Sequence, residues 1–472
     1  MSRNKNNEND NEFFHKNLKD SLNRYEEMQK KNNSAFFDTE ELMDICDYYI
    51  SNDEYQKSFD ACKYAMGLYP NNTSFKLKEA AVLVKMGNYE TALEKLKKFE
   101  VTNGNDSEMH IIYAHLYLST GDSFNAVTHF KAALENAEDS APIYHDLAFA
   151  FHDTGDYKNA IKYIELFIES GNGDYYTSLH YIQWLTLIDN LIRGQKLFEK
   201  IIDDNPYNMH AWLGKALIAK ENLDYDNAID ALEFCMVIDE NKIHVYQEFG
   251  HIFKAKEQYK DAIVYFEKAF KLDNENVSAL YHIGDCYEYL DYFDKAREYY
   301  QQAIKINPYF ADGWYSIGVI LMHSDKWYEA IHYLKKAIEI EQENGEFWFA
   351  LGDCEANLNH HNEAVECYEN VIEMDPQNES IWIEYAMLLY DNNESLKAVE
   401  ILHQGLKYHV DNAELFFHLC AMQYESGLLQ EAYTTLADGL SIDYDLHAIL
   451  FELIPGIKND KNILRIIEQY KN

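Results

Sequence analysis

The sequence predicts an all-α solenoid of about twelve 34-residue helix–turn–helix repeats, with capping helices at both ends. Three observations predict this fold. Residues of one type recur every 34 positions, two fixed places in each repeat hold small residues, and the apolar residues follow the helical period. The register runs from residue 39 to residue 446 without an insertion or deletion. Repeats start at residues 39, 73, 107, 141, 175, 209, 243, 277, 311, 345, 379 and 413.

Small residues mark the places where the two helices of a repeat meet. The twentieth place is Ser, Ala or Gly in all twelve repeats, and the eighth place is small in eleven. Small side chains let packed helices approach closely. Ile182 is the exception at the eighth place, and Gly194 stands at the twentieth place of the same repeat. We therefore expect a local irregularity in residues 175–208.

Each repeat reads as two amphipathic helices separated by a turn. In residues 311–344, apolar residues at i, i+3, i+4 and i+7 form one helical stripe early in the repeat and another late. The turn holds Gly in four repeats and Asp or Asn in six, residues that tolerate the left-handed backbone that ends a helix. All six prolines lie near predicted helix boundaries, where the missing N–H is harmless.

The residues outside the repeats are predicted to cap the stack, because the end repeats would otherwise expose apolar faces. Residues 1–10 are expected to be a disordered tail, and residues 11–38 an N-terminal capping helix. Residues 447–472 are expected to form C-terminal capping helices with a break at Pro455. The apolar side chains expected to cover the last repeat are Ile463, Leu464, Ile466 and Ile467.

The pattern resembles the tetratricopeptide repeat family, which has an aromatic residue, a Leu-Gly pair, two alanines and a proline at corresponding places. The aromatic is matched by Trp212, Trp314, Trp348 and Trp382. The resemblance covers 408 of 472 residues, and the chain resembles bacterial proteins built wholly of such repeats. It implies a right-handed superhelix in which one face of the first helices lines a concave, peptide-binding groove.

The charge balance argues against nucleic acid and membranes as partners. The chain has 41 basic and 81 acidic residues, so its formal net charge of −40 repels phosphate and anionic lipid. Its apolar content of 47% still suffices for a large core. We find no apolar run suited to a signal peptide or a membrane span, and the seven cysteines include no CxxC pair. We expect a cytoplasmic protein.

The sequence contains no motif that calls for catalysis. P-loop, GxSxG, HExxH and dinucleotide-binding fingerprints are absent, and every long segment belongs to a repeat. We therefore expect no enzymatic activity, no cofactor and no bound metal. Cysteines such as Cys46, Cys62, Cys235 and Cys420 fall at core places and are interpreted as packing residues.

The informative surface is the first-helix face, which we define as places 2, 5, 6, 9, 12 and 13 of every repeat. These places share one side of the first helix, opposite its core stripe. They hold ten of the 19 histidines, seventeen acidic residues and four basic ones. The predicted partner-binding residues are His115, His145, Phe149, His152, Tyr176, His180, His244, Glu248, His251, Tyr281, His282, Asp285, Tyr289, Tyr315, Phe349, Tyr390 and Phe417.

Two interpretations of this face stay open. Its residues either pack one first helix on the next, or offer rings and charges to an extended peptide. We favour the peptide, because packing does not require the excess of histidine. The expected partner is a basic or polar protein segment, since the face lacks the Lys, Arg and Asn clamp of chaperone-binding relatives.

Two further alternatives are carried forward. One is self-association, for which the C-terminal cap helix is a candidate surface. The other is a metal site at His244, Glu248 and His251, with His282 and Asp285 on the next first helix, because imidazole and carboxylate suit zinc.

Overall fold

The computed structural model describes residues 18–31, 35–103 and 106–471. Within these ranges the chain consists of tandem helical hairpins and contains no strand, which confirms the predicted fold class. The tail expected at residues 1–10, and the first part of the expected N-terminal cap, lie outside the described residues.

Every repeat contributes two helices, and each first helix begins at the first residue of a 34-residue repeat. The first helices are Thr39–Ser51, Thr73–Lys85, Ser107–Ser119, Ala141–Asp153, Tyr175–Leu187, Met209–Glu221, Ile243–Ala255, Val277–Tyr289, Ala311–Met322, Gly345–Asn357, Glu379–Asp391 and Ala413–Glu425. The second helices are Tyr55–Leu68, Tyr89–Asn103, Ser123–Leu134, Tyr157–Phe167, Leu191–Asp204, Tyr225–Ile238, Tyr259–Leu272, Phe293–Ile306, Trp327–Ile340, His361–Met374, Ser395–Tyr408 and Leu429–Ile442.

Local sequence sets both ends of the first helices. Asn or Asp directly precedes most of them, and its side chain accepts a hydrogen bond from an amide of the first turn, as Asn276 does from Ala279. At the other end, one residue per repeat adopts a left-handed backbone. This holds in all twelve repeats, including Leu223 and Glu257, where a residue other than Gly, Asn or Asp accepts the strain.

Glycine at the eighth place makes room for a ring at the twenty-fourth. A Cβ built on Gly284 would lie 2.6 Å from the ring of Tyr300, and one on Gly352 would lie 2.5 Å from Tyr368. Both tyrosines are buried. An alanine would push the ring away. Glycine is therefore needed here to leave space for the tyrosine, and not to allow a special backbone conformation.

Repeat 5 is irregular, and its neighbours show why. The second helix of the preceding repeat runs into a π turn, Ile168–Asn172, with Gly171 left-handed. A Cβ on Gly194 would lie 2.6 Å from Leu185, so the glycine yields space to large neighbours. Ile182 occupies the eighth place, which is small in the other repeats, and the twentieth place of the same repeat is reduced to glycine.

The repeats divide into two compact units, unit 1 up to Glu240 and unit 2 from Asn241, and each is described by itself. Unit 1 begins with a helix over 18–31 that buries Tyr25 and Met28 against Phe37 and its neighbours. Unit 2 ends with Ala448–Leu453, the 3₁₀ turn Pro455–Asn459 and Lys461–Gln469.

The C-terminal helices cover repeat 12 with fewer side chains than expected. Ile463 and Ile467 are buried against it, and Ile466 is partly buried. Leu464, by contrast, is 43% exposed, because its place in the helical period turns it away from the repeat. All seven cysteines are buried and free.

Candidate functional site

The first-helix face has a fixed cross-repeat register, in which place 9 of one repeat meets place 6 of the next. The contacts seen within the units are Asp47–Lys78 at 2.6 Å, His115–Asp146 at 3.3 Å, the rings of Phe149 and His180 at 5.1 Å, and the rings of His251 and His282 at 4.7 Å. Part of the face therefore serves repeat-to-repeat packing, as the first interpretation required.

In unit 1 a carboxylate lies between two imidazoles. The carboxylate of Asp146 lies 3.3 Å from His115 Nε2 and 3.2 Å from His145 Nδ1. Burial alone would raise the pKa of Asp146, but hydrogen bonds and positive charge from the two histidines outweigh burial and lower it to about 2. The arrangement joins repeats 3 and 4 and keeps this carboxylate ionised.

Aromatic rings continue the same surface into repeat 5. Phe149 contacts His145, His180 and Trp184, with ring centroids 4.8, 5.1 and 5.2 Å apart. The ring of His152 stacks on Trp184 at 5.1 Å. Trp184 is buried and was not singled out from the sequence, because its place in the repeat, place 10, is not one of the six places of the first-helix face.

The outer side of this surface is open. Tyr176 is 59% exposed, His180 is exposed, and the side chains of His115, His145 and His152 are about 40% exposed. We call the six predicted residues that the structure brings together here the unit-1 strip: His115, His145, Phe149, His152, Tyr176 and His180. They present rings and imidazoles over three consecutive repeats.

In unit 2 the corresponding rings are packed more deeply. His282 lies against His251 and Phe266, with ring centroids 4.7 and 5.1 Å apart. Burial, with repulsion from His251 and Lys254, lowers the pKa of His282 to about 3. This histidine is therefore neutral at physiological pH.

The neighbouring carboxylate forms an ion pair with a lysine of the same chain. Lys254 of repeat 7 forms an ion pair with Asp285 of repeat 8. The ammonium also lies 5.6 Å from the ring centre of Tyr289, which in turn stacks on Tyr259 at 4.9 Å. Asp285 and Tyr289 thus already contact a cation of their own chain, Lys254.

The metal alternative is not supported by the geometry. His244 Nδ1 lies 3.1 Å from Gln247 Oε1, Glu248 is buried, and Asp285 is paired with Lys254. Across the described ranges, no group of three or more His, Cys, Asp or Glu side chains is spaced to hold a metal ion.

The remaining predicted aromatics of unit 2 are half-buried against ring neighbours. Tyr281 contacts Tyr300 and Phe310, Tyr315 contacts Phe347 at 4.9 Å, and Phe349 contacts Tyr368 at 6.0 Å. Tyr390 packs against the core of repeats 10 to 12.

Two of the predicted binding residues are inaccessible, and the expectation is corrected for them. Phe417 is fully buried in the cluster that includes Leu450 and Ile463, because the C-terminal helices cover the first helix of repeat 12. Glu248, at place 6, is 2% exposed. Neither side chain can reach a partner while the surrounding helices are in place.

Two carboxylates of unit 2 accept hydrogen bonds from buried tyrosine hydroxyls, which was not predicted from the sequence. Tyr300 donates to Glu288 at 2.9 Å, and Tyr368 donates to Asp353 at 2.8 Å. Burial raises the pKa of Glu288, and it raises that of Asp353 to about 6, with a further contribution from Glu384. The sequence signal that could have revealed these hydrogen bonds is the tyrosine at place 24 of repeats 8 and 10, where the other repeats have an apolar residue.

Comparison with known proteins agrees with this architecture. Two models described as tetratricopeptide repeat match five repeats, one at 277–310 and 345–378, the other at 141–170, 243–276 and 311–344. The chain carries tetratricopeptide repeats. No curated protein sequence gives a significant match.

Several solved structures are similar to this chain at low identity. YrrB, described as a TPR protein with an unusual peptide-binding site, is 22% identical over 39% of this chain and 94% of its own, with a TM-score of 0.34. A MamA protein is 22% identical over 35% and 91%, with a TM-score of 0.33. Yeast Tom70 is 16% identical over 91% and 98%, with a TM-score of 0.41.

None of the helices in the described ranges combines the length and apolar character needed to cross a membrane.

Proposed function

We propose that this tetratricopeptide-repeat chain is a non-enzymatic adaptor that binds extended segments of partner proteins along its first-helix face. The observation that carries the proposal is the unit-1 strip, in which imidazoles and aromatic rings of three repeats lie side by side and remain open on one side. Rigid rings provide contact area at a low cost in conformational entropy.

The proposed partner segment is basic or polar. The face carries seventeen acidic and four basic residues, and two of the basic ones, Lys78 and Lys254, are paired with carboxylates of the neighbouring repeat. A chain with a net charge of −40 also attracts basic segments at long range. Because the seven buried thiols suit a reducing compartment, we propose that this binding occurs in the cytoplasm.

Affinity capture from native lysate, read by mass spectrometry, tests the proposal. The strip variant combines His152→Ala, Tyr176→Ala and His180→Ala, and leaves His115 and His145 on Asp146. The matched control combines Phe124→Ala, Ile192→Ala and Tyr207→Ala, three side chains of unit 1 that are at least as exposed and lie off the face. Circular dichroism must show that both variants are folded.

The wild type and the control should capture the same specific protein, and the strip variant should lose it by about tenfold or more, as for loss of central ring contacts. Equal capture by the strip variant would contradict the proposal, because binding would then lie on another surface. A wild type that captures no specific protein would contradict it as well.

A further inference from the structure

One junction of the first-helix face brings two carboxylates to facing places. At the other junctions described above, place 9 and the following place 6 hold opposite charges or contacting rings. Between repeats 10 and 11 these places hold Asp353 and Glu384, two carboxylates. Like charges at facing places destabilise a structure unless a cation lies between them.

The two carboxylates line one cavity of about 370 Å³. Glu384 is exposed at its rim, whereas Asp353 is half-buried and held by the hydroxyl of Tyr368. Within the part of the chain that the structure describes, neither carboxylate forms an ion pair. The cavity thus offers two acidic groups that have no cation of their own.

The walls of the cavity combine apolar and polar surface. Val319, Met322, Trp327 and Ala356 form the apolar part, while His323 and Asn357 lie at the rim with Glu384. Lys and Arg side chains combine an aliphatic stem with a charged head, so they suit a space that has both apolar side chains and carboxylates in its wall. A tryptophan ring adds favourable contact with a guanidinium or ammonium group.

The chain contains an occupied version of this arrangement two repeats earlier. There Lys254, at place 12 of repeat 7, pairs with Asp285, at place 9 of repeat 8, beneath the ring of Tyr289. Asp353 is also at place 9, and the residue at the matching place 12 is Met322. The internal lysine is replaced by a neutral side chain that lines the cavity.

We infer that the cavity between Asp353 and Glu384 binds the cationic side chain, arginine or lysine, of a partner protein segment. This rests on the proposed function and assigns a subsite to it. The arginine or lysine stem lies along Met322 and Trp327, and its charged head reaches the oxygen of Asp353 that does not receive Tyr368.

Isothermal titration calorimetry on the full chain provides the test. The probe is an acetylated and amidated peptide, Ser-Gly-Arg-Ser-Gly-Arg-Gly-Ser, and the reference is the same peptide with citrulline for arginine, which keeps the shape and removes the charge. Met322→Lys places a lysine where Lys254 stands in repeat 7. Met322→Gln is its neutral control of similar size, and Glu384→Gln changes an exposed rim residue without disturbing packing.

The wild type should bind the arginine peptide about tenfold or more tightly than the citrulline peptide, as for a charge-assisted contact. Met322→Lys should remove that preference by occupying Asp353 from within, and Met322→Gln should keep it within about twofold. Glu384→Gln should reduce it. Circular dichroism must show Met322→Lys folded; if it does not fold, Glu384→Gln decides the outcome.

A wild type that does not distinguish the two peptides would overturn the inference. Equal arginine preference in the wild type, Met322→Lys and Glu384→Gln would overturn it too, because the basic side chain would then bind elsewhere. In neither case would the capture experiment on the unit-1 strip be affected, since that strip lies in the other unit. The two proposals therefore fail separately.

Discussion

Asp146 of unit 1 and Asp353 of unit 2 lie on the same face of first helices, and both are partly buried. Asp146 is flanked by His115 and His145, and its pKa is lowered to about 2. Asp353 accepts one hydrogen bond, from the hydroxyl of Tyr368, and faces Glu384. Its pKa is raised to about 6. Burial acts in the same direction on both, so their hydrogen-bonding and charged partners account for the difference.

The comparison shows that one repeat architecture can build opposite electrostatic sites. Places 9 and 6 contact each other at the four junctions described, and the residue types at these places decide whether a junction is satisfied internally. In our proposals, the face binds a partner through rings where the junction is satisfied, as at Asp146, and through charge where it is not, as at Asp353.

The largest expected effect comes from displacing the tyrosine beneath Asp353. Gly352→Ala would place a methyl group 2.5 Å from the ring of Tyr368, so the ring must move. We expect a loss of about 1–3 kcal/mol in the local stability of repeat 10, as for other overpacked cores. Amide hydrogen exchange of Gly345–Asn357 measures it.

The matched control is Gly67→Ala, on a second helix where a Cβ would meet nothing within 4 Å. This change should stabilise its helix by a few tenths to about 1 kcal/mol, because alanine has the higher helix propensity. Equal protection of repeat 10 in Gly352→Ala and the wild type would show that the tyrosine is not held in place by the glycine.

A pair of isosteric changes should move stability in opposite directions at pH 7. Asp146→Asn removes a carboxylate whose ionised form is stabilised by folding, so repeat 4 should lose about 1–2 kcal/mol. Asp353→Asn removes a carboxylate whose ionised form is destabilised, so repeat 10 should gain about 1 kcal/mol while Tyr368 still donates to the amide oxygen.

The two effects should also depend on pH in opposite ways. The contribution of Asp146 is complete above its unfolded pKa of about 4 and is lost as pH falls toward 2. The cost at Asp353 develops as pH rises from about 4 to about 6 and vanishes below 4. Asp294→Asn, at a side chain that is 96% exposed, should change neither. Equal signs for both variants at pH 7 would refute the comparison.

The smallest expected effect is the pH dependence of the arginine peptide. As pH falls from 7.5 to 5, Asp353 loses its charge. Burial also raises the pKa of Glu384 on the rim, so its charge changes in the same direction, and both changes disfavour a bound cation. Affinity measured by calorimetry should fall by about tenfold. Constant affinity over this range would argue against Asp353 as the contact.

The sequence predicted the helical hairpins well, because each depends on local periodicity. The small residues at places 8 and 20 and the Gly, Asp or Asn turns are signals within one repeat. The juxtaposition of Asp353 and Glu384 is not a signal within one repeat, because these residues are 31 positions apart and meet only through the register between two first helices. Phe417 illustrates the same limit, because its place matches that of Phe349, yet the C-terminal helices bury it.

The candidate face was only partly predictable for a related reason. Helical period identified which residues share a side, but not which of them are used up by neighbouring repeats. Lys254 and Asp285 were both on the face, and only the structure shows them paired. Tyr368 and Trp184 stand at places outside the first-helix face, and their contacts with face residues appear only in three dimensions.

The most direct test of the central claim is a carboxyl ¹³C NMR titration of the full-length chain with labelled aspartate. Asp146→Asn and Asp353→Asn assign the two resonances. The account predicts that Asp353 titrates near pH 6, while Asp146 stays ionised until the pH approaches 2 or the chain unfolds. Titration of both groups together, near the ordinary aspartate pKa of about 4, would contradict it.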